Sequence, residues 1–164
     1  MIARLAALLL LLLSVVAPAA HALESAVASS PRADVSLISE TDTHTAGQTL
    51  RVALRLRMAK GWYTYWRNPG DAGAPTELEF TLPDGITAGP IAWPTPARHL
   101  TGPVMSYGYD GEVVLPVTLT LPTAPPRAEP LVIQVHASWL VCERICVPED
   151  GDFTLTLPAS SSAT

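Results

Sequence analysis

The sequence predicts an all-β protein with an immunoglobulin-like antiparallel β-sandwich. Several segments alternate apolar and polar residues with a period of two, which is the pattern of strands that bury one face. Pairs of turn-forming residues separate these segments. The chain also contains 16 prolines and no long segment with helical spacing, which argues against long helices.

Six segments are predicted as strands. In chain order they are 35–39, 50–58, 78–82, 113–121, 131–139 and 153–157. In the second segment, the apolar positions from Leu50 to Met58 alternate with arginines, which predicts one face buried in the core and the other exposed to solvent. Turns are predicted at Pro83-Asp84-Gly85, Gly89-Pro90, Asp110-Gly111 and Asp150-Gly151. Six or more short strands separated in this way are typical of an immunoglobulin-like sandwich.

The first 22 residues are predicted to be a signal peptide. Arg4 precedes an apolar run that begins at Leu5, and Ala20-His21-Ala22 has the small-x-small pattern of a cleavage site. The segment predicts export to the periplasm, an oxidising compartment. The remainder is divided into a flexible N-terminus (23–33), one immunoglobulin-like domain (34–158) and a disordered tail (159–164).

Charge and composition narrow the function classes. The formal net charge is −5, and the few basic residues form no dense patch, so nucleic acid is not a predicted partner. No nucleophile signature of a hydrolase is present, and no cofactor is predicted.

Cys142 and Cys146 are the only cysteines. A disulfide between them would close a loop of about five residues and add roughly 2 kcal/mol of stability, against about 4.7 kcal/mol for a loop of about a hundred. Such a pair is a weak structural cross-link, which favours a chemical role. Arg144 would favour a thiolate, and Glu143 would oppose it.

Geometry constrains the path of the chain around the pair. In a straight strand, residues four apart are separated by about 13 Å, but a disulfide needs Cα atoms within about 4.4 to 6.8 Å. A bonded pair therefore requires residues 141–146 to leave the strand in a turn. We expect Pro148 to stop that turn from running into another ladder.

Two further segments admit two interpretations each. In the aromatic cluster at 61–71, Trp62 and Trp66 either plug one end of the sandwich or form with Tyr65 a surface for a partner. The glycine-rich segment at 102–111 is either an ordinary hairpin connection or a flap over the thiols.

Three motifs together resemble the N-terminal periplasmic domain of DsbD-type thiol:disulfide interchange proteins, with the ScsB-like, copper-tolerance-associated branch the most similar. They are GWYTYWRNPGD at 61–71, YGY at 107–109 leading into VVLPV at 113–117, and WLVC to CVPE at 139–149. The resemblance implies an immunoglobulin-like domain that reduces periplasmic thioredoxin-fold proteins. It implies that Cys142 and Cys146 are the redox pair.

The resemblance also implies a cap over the pair, built from Met105 and Tyr107, with Tyr107 or Tyr109 as the cap aromatic in place of the family's phenylalanine. The cysteine spacing is shorter than in the best-studied members. Family members continue into a membrane domain and a thioredoxin-like domain, and this sequence ends at Thr164 with neither. Three interpretations follow: a truncated product, a part of a split system with a separately encoded membrane electron-transfer protein, or a domain that has lost its electron supply.

Two alternatives remain open. Thiolates, thioethers and imidazoles suit copper(I), and the chain offers such ligands besides the cysteines, although a C-x₃-C pair alone is weak as a metal signature. They are Met58, Met105, His44, His99 and His136. The second alternative is a structural sandwich that docks a partner through its aromatic cluster without redox chemistry.

Overall fold

The computed structural model describes residues 22–123 and 129–160, which form eleven strands. They are β1 (Ala28–Ser29), β2 (Ala33–Ser39), β3 (Thr49–Met58), β4 (Tyr63–Gly70), β5 (Glu77–Thr81), β6 (Thr87–Ala88), β7 (Ala97–Thr101), β8 (Val104–Asp110), β9 (Glu112–Thr120), β10 (Leu131–Cys142) and β11 (Cys146–Leu157). The predicted signal peptide lies almost entirely outside the described residues.

The strands form two sheets whose pairings are all antiparallel. One sheet has the order β1-β2-β3-β9-β6, and the other has the order β11-β10-β4-β8-β7, with β5 also paired to β10. The described residues contain no helix, and hence none long and apolar enough to cross a membrane. The predicted all-β sandwich is confirmed.

The core lies between the sheets and uses the apolar positions of the period-two pattern. Leu54 on β3 faces Leu115 on β9, and Ile133 on β10 faces Leu155 on β11. These four side chains are at most 1% exposed. Burying each one contributes roughly 1.5–3 kcal/mol. The six predicted strands correspond to β2, β3, β5, β9, β10 and the second half of β11.

The polar side of β3 carries ion pairs at the protein surface. Arg55 pairs with Glu24, and the Nε atom of Arg57 lies 2.6 Å from a carboxylate oxygen of Glu112 on β9. The alternation in 50–58 therefore separates core from solvent, as the sequence predicts.

Two pairs of turn-forming residues lie inside strands. Asp150-Gly151 belongs to β11, where Gly151 faces Ala137 of β10, so the turn prediction there is wrong. Pro69-Gly70 belongs to β4, whose pairing with β8 is irregular between Tyr65 and Gly70. In both places the ladder with the neighbouring strand overrides a local turn preference. The Asp110-Gly111 turn is present, and Gly111 takes a φ of 65° between β8 and β9.

The N-terminal segment 23–33, predicted to be flexible, makes regular main-chain contacts with β2. The Ser25 amide donates to the Leu37 carbonyl at 2.9 Å, and β1 pairs with β2. At the other end, the Ser160 amide donates to the His44 carbonyl at 2.8 Å, while residues 161–164 lie outside the described residues. The domain boundaries stay a prediction.

Candidate functional site

The two cysteines close a β-hairpin. Cys142 is the last residue of β10, Cys146 is the first residue of β11, and three residues turn the chain between them. The cysteines face each other across the ladder with Cα atoms 4.2 Å apart, and they form a disulfide. This separation matches the roughly 4.5 Å of a non-hydrogen-bonded antiparallel pair. The predicted turn is present but shorter than predicted, because it spans only residues 143–145, while Val141, Cys142 and Cys146 remain in the strands.

Pro148 does not have the predicted role. It lies within β11 and faces Leu140 of β10, so the ladder runs through the proline. Leu140 and Pro148 are two positions from the cysteine pair, so they share its non-hydrogen-bonded type, in which the main-chain N–H points away from the partner. Because β11 is an edge strand, the missing N–H of Pro148 removes no ladder bond.

The two sulfur-bearing residues differ sharply in exposure. Cys142 is 1% exposed, whereas Cys146 is exposed at the start of β11. Its neighbour Ile145 is 69% exposed, which is unusual for a large apolar side chain. Glu143 and Arg144 complete the turn and are also exposed. The hairpin thus presents one sulfur and one apolar side chain to solvent while it buries the other sulfur.

The disulfide lies on the outer face of its sheet. Along β10, Ala137, Trp139 and Val141 face the core, so Cys142 faces the opposite way. Cys142 pairs with Tyr63 of β4, which pairs with Asp110 of β8. Directly opposed residues share a face, so Tyr63 and Asp110 lie on the disulfide side of the sheet.

A chain of hydroxyl groups leads to the exposed sulfur. The Tyr65 hydroxyl oxygen lies 3.3 Å from the Cys146 Sγ and 3.3 Å from the Tyr63 hydroxyl oxygen. A disulfide sulfur carries no proton, so the Tyr65 hydroxyl is the donor to Cys146. Tyr65 has a single O–H, and Tyr63 must therefore donate to Tyr65.

Tyr65 is held in place by close packing. Tyr65 is 1% exposed. The pKa of its phenol lies far above the usual range, and the largest cause of this rise is burial. A Cβ atom on Gly73 would lie 2.3 Å from Tyr65 Cε1, and Gly73 takes a φ of 106°. Only glycine fits this position, because a side chain would overlap the ring and strain the backbone.

His99 of β7 belongs to the same cluster. Its ring stacks on Tyr63 with centroids 4.3 Å apart and an interplanar angle of 8°. The Nε2 atom lies 3.6 Å from Asp110 Oδ2. Sequence analysis did not single out Tyr63, and it considered His99 only as a metal ligand. The spacing of Tyr63 and Tyr65 was the available signal, because residues two apart in a strand share a face.

The predicted aromatic partner surface is only partly exposed. Tyr65 is buried, so its ring forms no part of an exposed surface. Trp62 and Trp66 are half-buried and pack against the core, with Arg32 over the Trp62 ring at 5.8 Å and Arg67 over the Trp66 ring at 5.2 Å. Contact of the two tryptophans with a partner stays a prediction.

The predicted cap residues lie on the other face of the sheet. Tyr109 packs in the core, 7% exposed, and donates its hydroxyl proton to the Pro94 carbonyl at 2.9 Å. Burial raises the pKa of Tyr109 to about 12. Met105 and Tyr107 lie on the same face of β8 as Tyr109. The rings of Tyr107 and Trp66 form a T-shaped pair with their centroids 6.3 Å apart. Because the disulfide lies on the outer face, none of the three covers the sulfur atoms, and the segment is a strand rather than a loop.

The candidate copper ligands of the sequence lie in different parts of the fold. Within residues 22–123 and 129–160, no group of three or more His, Cys, Asp or Glu side chains could hold a metal ion. His136 pairs with Asp152 at 2.8 Å, and His44 contacts the Glu129 carbonyl at 3.1 Å. Neither of these contacts involves a cysteine.

The chain is similar to known proteins in both sequence and fold. The family model described as "Thiol:disulfide interchange protein DsbD, N-terminal" matches residues 34–158. A search of curated proteins finds no match. Among solved structures, the chain is similar to the N-terminal periplasmic domain of ScsB from Proteus mirabilis, with a TM-score of 0.63 and 23% identity. That match covers 85% of this chain and 53% of the other, so this chain spans about half the length of that relative.

A second solved structure has lower similarity. The Neisseria meningitidis DsbD N-terminal domain in the reduced form matches with a TM-score of 0.40 and 15% identity, over 83% of this chain and 86% of that one. The ScsB domain, by its higher TM-score, shows that the sandwich fold is shared.

Proposed function

Because the chain belongs to the family of DsbD N-terminal thiol:disulfide interchange domains, we propose that it passes reducing equivalents through Cys142 and Cys146 to thioredoxin-fold proteins in the periplasm. The observation that carries the proposal is the asymmetry of the disulfide, with Cys146 exposed and Cys142 buried beside it. Thiol–disulfide exchange needs one accessible sulfur for the partner and a second sulfur within reach to resolve the mixed disulfide.

The exchange proceeds in two displacements. In the reduced domain, the Cys146 thiolate attacks one sulfur of the partner's disulfide, and the partner's other sulfur leaves as a thiolate. Cys142 then loses its proton and attacks Cys146 Sγ, which breaks the mixed disulfide and releases the partner's remaining sulfur as a thiolate. The partner gains two electrons, and the domain returns to the Cys142–Cys146 disulfide seen in the structure.

Tyr65 supports the first displacement. Its hydroxyl donates to Cys146 Sγ, and a hydrogen bond to an ionised sulfur is stronger than one to a neutral sulfur. The contact therefore favours the thiolate, which is the nucleophile. The raised pKa of Tyr65 keeps its proton in place through the range in which thiols titrate.

Partner docking occurs at the hairpin tip. Ile145 exposes an apolar side chain next to the reactive sulfur, and a partner that packs on it aligns its own disulfide with Cys146. Protein interfaces commonly have apolar anchors at their centre and polar groups at their rim. Ile145 would be the anchor, and the exposed side chains of Glu143 and Arg144 would lie at the rim. In the full cycle a dithiol of a membrane electron-transfer protein reduces the domain again.

Single cysteine variants test the proposal. A Cys142→Ala domain retains the attacking thiol and lacks the resolving one, so it should accumulate a mixed disulfide with an oxidised thioredoxin-fold protein. The Cys146→Ala domain retains only a buried thiol and should accumulate far less. Non-reducing electrophoresis measures both, with the double variant as the control. Equal trapping, or more trapping by the Cys146→Ala domain, would contradict the assignment.

A redox titration separates this function from a structural cross-link. The wild-type domain, equilibrated with glutathione or dithiothreitol buffers, should show a reduction potential above about −300 mV, because structural disulfides typically lie below that value. A disulfide that stays intact in buffers of far lower reduction potential would instead support the alternative of a docking domain without redox chemistry.

A further inference from the structure

We propose that His99 is a positioning residue for the redox pair, acting through Tyr63 and Tyr65 on the sulfur of Cys146. The inference rests on the proposed redox function and adds to it a residue on a different strand. His99 lies on β7, three strands away from β10 in the sheet order, and it makes its contact through the ring of Tyr63.

The stacking geometry is close to parallel. The rings of His99 and Tyr63 are 4.3 Å apart at their centroids and inclined by 8°. The His99 side chain is 14% exposed, so the stacked pair is largely shielded from water. A packed ring on one face restricts the rotation of the Tyr63 ring, because the phenol cannot swing toward the imidazole without overlap.

The register of the sheet brings the groups around His99 together. His99 faces Ser106 across the β7–β8 ladder, and Tyr63 faces Asp110 across the β4–β8 ladder. Asp110 Oδ2 lies 3.6 Å from His99 Nε2, a nitrogen that is buried without a hydrogen-bond partner among the described residues. The imidazole is thus held by the stack, and the Asp110 carboxylate lies near it without a hydrogen bond.

The consequence for the sulfur follows from the count of hydroxyl protons. Tyr65 has one hydroxyl proton, and a hydrogen bond from Tyr63 to the Tyr65 oxygen polarises that O–H and strengthens the bond it donates to Cys146. If Tyr63 rotates away, Tyr65 no longer accepts that hydrogen bond, and the bond from its own proton to the sulfur weakens. By holding the Tyr63 ring, His99 maintains the hydrogen bond that strengthens the Tyr65 donor to Cys146.

The test measures the reactivity of Cys146 alone. In a Cys142→Ala background, Cys146 is the single thiol of the chain. His99→Leu should lower the alkylation rate with iodoacetamide at neutral pH by about threefold to tenfold, the range expected for loss of one aromatic pair. It should also raise the pKa of the Cys146 thiol, measured from the ultraviolet absorbance of the thiolate. His99→Phe retains the stack and should preserve both values.

Two controls separate positioning from general destabilisation. His136→Leu removes the other histidine that pairs with an aspartate on this sheet, and it should leave the rate and the thiol pKa unchanged. His99→Leu combined with Tyr63→Phe should react at the same rate as Tyr63→Phe alone, because the histidine acts only through that hydroxyl.

The outcomes are distinguishable. An unchanged rate in His99→Leu, or additive losses in the double variant, overturns the role of His99. Either result leaves the redox function intact, since that function is judged by the trapping and redox titration of the chain with both cysteines. A wild-type disulfide that is not redox-active overturns the proposed function itself.

Discussion

Replacing Tyr65 with phenylalanine tests the hydrogen bond between this buried tyrosine and the exposed sulfur of Cys146. The substitution removes one hydroxyl and keeps a ring that is 1% exposed and packed against Gly73. It deletes the 3.3 Å contact to Cys146 Sγ and the 3.3 Å contact to Tyr63. We expect the thiolate of the reduced domain to lose the hydroxyl donor of Tyr65 while the packing of the ring is retained.

The magnitude follows from the energy of a hydrogen bond to a charged group. Such a bond contributes about 1.5–3 kcal/mol. One unit of pKa corresponds to about 1.36 kcal/mol, so the pKa of the Cys146 thiol should rise by about one to two units. Where that thiol titrates above neutral pH, its thiolate fraction at neutral pH falls by about tenfold to a hundredfold.

The assay is a pH titration of thiolate absorbance in the reduced domain, with the alkylation rate measured in parallel. Tyr109→Phe is the matched control, since it also removes a buried hydroxyl, the donor to the Pro94 carbonyl. That control should lower the unfolding free energy by about 1 kcal/mol and leave the thiol pKa unchanged, because Tyr109 lies on the core face. A thiol pKa that is the same in Tyr65→Phe and the wild type would refute the reasoning.

Three further predictions follow from the described contacts. Reduction of the disulfide should lower the unfolding free energy in urea by only about 2 kcal/mol, and a loss above about 4 kcal/mol would mean a structural cross-link. Gly73→Ala should destabilise the fold more than Gly102→Ala, which has a φ of 60° but no atom within 4 Å of its Cβ; equal melting temperatures would contradict the overlap with Tyr65. The Asp152 hydrogen bond raises the pKa of His136, so its stabilisation is present at low pH and is lost as pH rises through the raised value. In Asp152→Asn the His136 pKa, followed by NMR, should fall, and an unchanged value would show that the pair does not form in solution.

The sequence alone was enough to predict the fold class and to single out the cysteine pair. Strict alternation in segments such as 50–58 predicts strands with one buried face, and the structure places Leu50 to Met58 in β3 as expected. Two cysteines with three residues between them predict a turn, because a straight strand would hold them too far apart. The family motifs predict the DsbD-type domain that the family model matches.

The sequence did not reveal the strands that surround the disulfide. β4, β7 and β8 lack clean alternation, since the runs that form them contain aromatic residues, a Pro-Gly pair and exposed polar groups. Their pairing depends on partners distant in the chain, and a local pattern contains no information on such partners. The export signal, the domain boundaries and the identity of the partner stay predictions.

Which side chains adjoin the sulfur atoms depends on long-range pairing between strands. A residue on a strand can point to either face, and the register of pairing chooses the face. That register places Tyr107 and Tyr109 on the face away from the disulfide, and it places Tyr63 and His99 on the disulfide side. The cysteine pair is evident from the sequence, but the residues around it come from strands that are distant in the chain, and no local segment specifies their pairing.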